Sequence, residues 1–208
     1  MKTRAAVQVA ELLTARLCHE LSGPLAAIGN GVELLGEDDS DFASEALALV
    51  GDSARRAANR LQFYRFAYGF GGVAAEAAGP APAELAAGFF EDMPIACEYR
   101  AAVRALPHDR QKIVCALLLV GAEALIRGGR LAVDVEGAGI MLEAVGEAVS
   151  FAEEQAAALR LELPAETLTS RTINAYFAGL LAQAIRWRLV SDTVTPGRVR
   201  LFSVVAPA

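Results

Sequence analysis

The chain is poor in the residues that staple or metallate small proteins. It holds three cysteines, Cys18, Cys97 and Cys115. Their number is odd, none stands in a Cys-x-x-Cys spacing, and each lies in an apolar pattern. They read as reduced, buried thiols, not as a disulfide frame. Only two histidines are present, His19 and His108, far apart in the chain, so no metal site is expected. Basic charge is in short supply: 19 Lys and Arg against 25 Asp and Glu give a net charge of −6. That balance argues against a nucleic-acid partner. Long apolar runs are missing too. The strongest, Ile113 to Ala122, falls well short of the ~20 residues that span a bilayer. Glu11 and Arg16 interrupt the apolar start before a signal-peptide core can form. These absences lead us to expect a cytoplasmic protein without a membrane anchor.

What is present is concentrated around His19. Leu17, Leu21, Pro24, Ile28, Val32 and Leu35 fall within roughly 60° of one another on a helix. His19 lies near the opposite side, at about 200° from Leu17. The imidazole is therefore expected in solvent, with a buried stripe behind it. Ala15, Gly23 and Ala26 share its face and leave room for another protein to approach the ring. Glu20 is placed to accept the Nδ1 proton, which would leave Nε2 as nucleophile. Gly23 and Pro24 cost about 1 and about 3 kcal/mol in a helix interior, and such a cost beside the histidine predicts a purposeful local bend.

Helical periodicity predicts a first helix over 5–35, a polar connection at 36–40 and a second helix over 41–68, with Gly69 as its C-cap. Leu47, Ala54, Leu61 and Tyr68 recur every seven residues, with Val50, Ala57 and Tyr64 between them. That is the seam of a helix bundle. An isolated hairpin is too thin to bury both seams, so a homodimer closing a four-helix bundle is expected; the alternative is cover from the rest of its own chain. The Ala-, Gly- and Pro-rich stretch before residue 83 reads as a linker. We therefore expect an α+β chain: a hairpin domain over 1–72, a linker over 73–82, and an α/β sandwich over 83–208. In the sandwich, helices are expected near 83–92, 109–127, 153–160 and 170–190. Strands are expected near 96–101, 130–136, 140–145 and 198–205.

The run His19-Glu20-Leu21-x-x-Pro24-Leu25 resembles the phospho-accepting H-box of the dimerisation and histidine phosphotransfer domain in two-component sensor kinases. With Asn30-Gly31, the segment from Leu17 to Leu35 more closely resembles the ChpT-type histidine phosphotransferases of alphaproteobacterial phosphorelays. The close resemblance covers roughly the first third of the chain. Beyond it, only the order of elements is similar to a sensor kinase's ATP-binding domain. The resemblance implies that His19 is the phosphorylated residue and Glu20 its acid/base partner.

A sensor kinase would need magnesium-nucleotide ligands. The asparagines are Asn30, Asn59 and Asn174, none of them on the 109–127 helix. Glu123 on that helix is an acid without the accompanying amide, which is weak evidence for metal-nucleotide binding. Asp134-x-x-Gly137-x-Gly139 has one residue too many for an Asp-x-Gly-x-Gly motif and reads better as a strand turn. Ser170-Arg171-Thr172-Ile173 supplies no phosphate-cradling glycines. The second domain is thus expected to be a degenerate ATPase-like fold with no cofactor of its own. The phosphoryl group would come from receiver domains, of a hybrid histidine kinase and of response regulators. Mg²⁺ would arrive in the receiver's acidic pocket.

Leu12, Arg16, Gly23, Ala26 and Asn30 share the histidine side of the first helix and form the expected receiver footprint. Arg55, Arg56, Arg60 and Arg65 could meet a receiver's rim but read equally as a solvated face. Phe63, Phe66 and Phe70 read as packing between hairpin and sandwich, and His108 as an exposed helix-entry residue. Two alternatives stay open: a non-phosphorylated protein that regulates a kinase dimer, and a divergent ATP-using kinase.

Overall fold

The computed structural model describes residues 2–36, 42–69 and 79–205. Two long antiparallel helices open it, α1 (Lys2–Leu35) and α2 (Ala43–Tyr68). The expected connection at 36–40 and linker at 73–82 lie outside the described residues, except Gly36 and positions 79–82. The α1–α2 contact is close. A Cβ on Gly31 would stand 2.6 Å from Val50 Cγ2 and 3.2 Å from the Ala46 carbonyl, so only glycine lets the backbones approach there. Gly69 does cap α2, its N–H donating to the Arg65 carbonyl at 2.9 Å. It does so with extended backbone (φ −70°), not the left-handed form.

The stripe expected to be buried on α1 is buried only in part. Leu21, Pro24 and Ile28 are half-buried against α2, whereas Val32 and Leu35 are exposed. The heptad pattern of α2 divides likewise. Val50, Ala57 and Tyr64 turn inward, while Leu47, Ala54 and Leu61 face out. One neighbouring helix covers one line of side chains, and each helix carries two.

The remainder is a mixed five-stranded sheet with helices. In order come α3 (Pro82–Phe90), β1 (Ile95–Tyr99), α4 (Ala101–Arg104), α5 (His108–Ala124), β2 (Gly129–Glu136), β3 (Gly139–Val145), α6 (Glu153–Leu159), a 3₁₀ turn (Ala165–Thr167), α7 (Ile173–Ala184), β4 (Trp187–Thr195) and β5 (Arg198–Val205). The strand order is β1-β2-β3-β5-β4, with β1 and β2 parallel and the other pairs antiparallel. Burial alternates along β3, where Ile140, Leu142 and Ala144 face the core, as in a sheet covered on one face. The cover is α5, buried from Ile113 to Val120. A helix apolar all round belongs in an interior. Gly121 lets it lie close, since a Cβ there would meet Leu142 Cδ2 at 2.7 Å and Leu131 Cδ2 at 2.9 Å.

The expected helix at 170–190 is a correction. It ends at Ala184, and 187–195 form a strand that pairs with β5. The break falls at Arg186, whose φ is +58°. Without glycine or proline there, the apolar run through Trp187, Leu189 and Val190 looks like continuing helix. The short α4 and the 3₁₀ turn span too few residues to show a periodicity in the sequence. As expected, Gly137 and Gly139 close the β2–β3 hairpin, Gly137 at φ +60°.

Hairpin and sheet share one core. Phe63, Tyr64, Phe66 and Ala67 of α2 are buried together with Phe89 and Phe90 of α3, and Phe63 stacks on Phe89 at 4.4 Å between centroids. The amino-terminal part of α1 packs Ala5, Val9, Leu12 and Leu13 against Leu168 and Ile173. Phe63 and Phe66 thus pack as expected; Phe70 lies outside the described residues. His108 is half-buried, not exposed, with its ring edge on Phe66 at 5.3 Å. Among the described residues no helix is long and apolar enough to cross a membrane.

Candidate functional site

His19 is exposed on α1, and among the described residues no hydrogen bond or ion pair engages it. The helix around it is locally irregular in hydrogen bonding. Pro24 has no N–H to give to the Glu20 carbonyl, and the Ser22 hydroxyl donates to the Cys18 carbonyl at 2.7 Å. Ala15, Gly23 and Ala26 beside it are exposed, and a Cβ on Gly23 would meet nothing within 4 Å. The ring therefore stands on open ground that a convex partner can reach.

Glu20 does not turn toward His19, and the expected hydrogen bond to Nδ1 is not made. Its carboxylate, only 14% exposed, accepts from Arg60 of α2 and pairs with Arg16 one turn back at 3.4 Å. The cause is position: Glu20 lies about 100° around the helix from His19, on the side facing α2 and the sheet domain. Arg60, expected at a receiver's rim or on a solvated face, instead sits half-buried between Glu20 and the ring of Phe89.

The expected receiver footprint divides. Gly23, Ala26 and Asn30 are exposed beside His19. Leu12 packs on the cluster of Ala165, Leu168 and Ile173, and Arg16 reaches across to Glu123 at 2.9 Å. Those two positions bind the chain's own sheet domain. Two of the other arginines are also committed, Arg55 to Asp52 at 2.7 Å and Arg56 to Asp92 at 2.9 Å, while Arg65 is exposed.

The Arg16 contact opens a polar cluster that sequence reasoning did not assemble. Glu123, near the end of α5, accepts from Asn174 Nδ2 of α7 at 2.8 Å. Asn174 Oδ1 accepts from the Tyr68 hydroxyl at the end of α2. Burial pushes the Glu123 carboxyl up to about 7, an effect that Arg16 and the Asn174 bond partly offset. Burial likewise raises the Tyr64 and Tyr68 phenols. No spacing rule brings 16, 68, 123 and 174 together; the one available signal is an acid following the apolar run Ile113–Ala122.

Two of the three thiols are withdrawn from chemistry. Burial raises Cys115 and, to about 12, Cys97, which leaves them un-ionised and unreactive at neutral pH. Cys18 departs from expectation in being exposed, since it lies on the outward apolar line of the hairpin. Among the described residues no three His, Cys, Asp or Glu are grouped to hold a metal ion.

A helical hairpin that presents a free imidazole, docked on a sheet domain, is an architecture suited to carrying a group between proteins. The comparisons agree in class. Residues 81–194, more than half the chain, match the family model of the histidine phosphotransferase C-terminal domain, and the chain belongs to that family. It is 38% identical over 136 residues to the protein phosphotransferase ChpT of Brucella abortus (strain 2308), a match covering 65% of this chain. The match spans 64% of that relative's length, just under two thirds. The structure is similar to that of a bacterial phosphotransferase solved at 1.7 Å, with a TM-score of 0.76 at 28% identity, covering 96% of this chain and 97% of the other.

Proposed function

We propose that this chain is a phosphorelay intermediate that passes a phosphoryl group between receiver-domain aspartates through His19. The observation that carries the reading is the exposed, unengaged imidazole among small residues. In the first step Nε2 of His19 attacks the phosphorus of a receiver's aspartyl phosphate in line. The N–P bond forms, the P–O bond to the aspartate breaks, and the carboxylate leaves. The second step reverses this toward another receiver. Mg²⁺ held by the receiver neutralises charge on the transferring group. Glu20 is the acid/base partner of the ring; to serve it, the carboxylate exchanges a bond to Arg16 or Arg60 when the receiver docks.

In this reading the sheet domain is an ATPase-like fold that works without nucleotide. In support, Glu123 on its long helix is already paired with Arg16 and hydrogen-bonded by Asn174 of the same chain. The exposed apolar line of the hairpin supports a homodimer. Leu25, Val32, Leu47 and Leu61 are 57%, 55%, 63% and 49% exposed. In the register set by the Gly31–Val50 and Glu20–Arg60 contacts, Val32 stands level with Leu47, Leu25 with Ala54 and Cys18 with Leu61. This face lies roughly 120° around α1 from His19, so a second copy closes a four-helix bundle and leaves both imidazoles free for cytoplasmic receivers.

The test is transfer from a phosphorylated receiver domain. Acid-labile label is expected on the wild-type chain and none on His19→Ala, with the thermal unfolding midpoint little changed because the side chain is exposed and, among the described residues, has no hydrogen bond or ion pair to lose. Label that persists in His19→Ala overturns the assignment. Titration with labelled ATP is expected to show no saturable binding; saturable binding with self-phosphorylation establishes the kinase reading instead. A chain that binds kinases or receivers but never takes label is the regulator.

A further inference from the structure

We infer that Glu123 is a positioning residue for transfer at His19, acting through Arg16 on the Glu20 carboxylate; the inference rests on the relay reading above. Arg16 Nη2 lies 2.9 Å from Glu123 Oε1 and 3.4 Å from Glu20 Oε1. One guanidinium thus spans from the sheet domain to the residue next to the nucleophile. Arg60 holds the other oxygen, Glu20 Oε2. Two arginines and two carboxylates balance, and all four are largely withdrawn from water, where such pairs are directional and screened little.

Glu123 is itself fixed from behind. Asn174 donates to the same Oε1 atom at 2.8 Å, and the Tyr68 hydroxyl orients Asn174. The carboxylate faces Arg16 and Glu20 of α1, the Tyr64 and Tyr68 phenols of α2 and Asn174 of α7. Glu154 and Arg171 also line the cleft of about 440 Å³ beside it. The Arg16 Nε is buried without a partner. The guanidinium spends Nη2 on the two acids and also bonds the Tyr64 hydroxyl, while its Nε goes without a partner.

The arrangement makes Glu20 answer to the sheet domain. With Glu123 charged, Arg16 is shared and only Arg60 grips Glu20 firmly, so the Oε1 side of the carboxylate is free to exchange toward His19. With Glu123 neutral, Arg16 commits fully to Glu20 and locks it away from the ring. Removing the charge at residue 123 therefore slows transfer without touching the imidazole or the receiver.

The experiment measures the rate of transfer from a phosphorylated receiver to the full chain, for wild type and Glu123→Gln, across pH. Taking the ratio of the two rates cancels the titration of His19 itself. It is expected to rise from about one near pH 6 to about tenfold near pH 8, a modest share of an acid/base contribution. The KM for the receiver is expected to move less than kcat. A second measurement uses Arg16→Gln, alone and combined with Glu123→Gln. Because Glu123 acts through Arg16, the double variant is expected to be no slower than Arg16→Gln. A ratio that stays at one, a slowing that is the same at every pH, or additive effects in the double variant would each overturn the inference. If Glu123→Gln does not fold, Glu123→Asp carries the test: slowed transfer with the wild-type pH dependence supports the inference, and a wild-type rate overturns it. Failure of the relay reading is distinct, because then the wild-type chain takes no label on His19 at all.

Discussion

The two ends of the hairpin are built from the same two helices and meet opposite fates. At the end near the sheet domain, α1 buries Leu12 and Leu13 on the 3₁₀ turn and α7, and α2 buries Phe63, Tyr64, Phe66 and Ala67 in the main core. At the far end, Val32, Leu35, Leu47 and Leu49 remain exposed. Composition does not distinguish the ends, for both are apolar at helical spacing. What differs is the supply of cover: the chain's own sheet domain reaches one end only. Side chains left bare in this way are a surface awaiting a partner, whereas those at the near end hold the fold. His19 lies at the boundary, where α1 leaves the domain that anchors it.

The largest contrast is therefore between neighbours on α2. Phe63→Ala is expected to cost about 3–5 kcal/mol of unfolding free energy, whatever the protein concentration. Leu61→Glu, two residues away, is expected to leave the chain folded but to abolish association, read as a loss of dimer mass in sedimentation. Loss of folding in Leu61→Glu, or a dimer that survives Leu47→Glu and Leu61→Glu together, would erase the distinction between the covered and the bare sides of the hairpin.

The boundary carries the next effect, and here pH is the lever. The Glu123 carboxyl sits near 7 in the folded chain, against an ordinary value of 4.5. A folded value raised in this way means the native state binds the proton more tightly. Its contribution is fully present below about pH 4.5 and is lost as pH rises through about 7. Wild-type stability is expected to fall by on the order of 1–3 kcal/mol over that window relative to Glu123→Gln, measured by denaturant unfolding. Parallel pH profiles for the two proteins would show that Glu123 is an ordinary surface acid. Burying a carboxylate against Arg16 destabilises the fold near neutral pH, and such a residue is intelligible at a site that positions charge.

How far the sequence could be read follows the same division. The hairpin, its antiparallel sense and an outward His19 were legible, because helical periodicity and a motif spaced by single turns are local facts. The strand at Trp187–Thr195 was not, because Arg186 takes a left-handed backbone conformation that no glycine announces. The second identity of Glu20 was hidden for another reason. Adjacency to His19 is visible in the chain, but the arginines that claim its carboxylate arrive from two helices, and Glu123 and Asn174 come from more than a hundred residues away in sequence. Arg16 reads as part of a receiver footprint, and Arg60 as a receiver's rim contact or a solvated residue, because a helical wheel shows which way a residue points and not what stands there.

Two glycines on α1 sharpen the comparison at the smallest scale. Gly31 touches α2, and a methyl there meets the stiff Val50 side chain at 2.6 Å and the Ala46 carbonyl at 3.2 Å. Gly31→Ala is expected to cost about 1–3 kcal/mol through overpacking, even after the gain in helix propensity. Gly23 faces open space on the His19 side, so Gly23→Ala is expected to stabilise the chain by up to about 1 kcal/mol. A residue that could be improved so simply, yet stands as glycine beside the nucleophile, is explained if a receiver's backbone must come close there. The stabilised variant is therefore expected to show a raised KM for the receiver with kcat little changed. If Gly23→Ala gains stability and transfers like wild type, the open ground around His19 is not where the receiver sits.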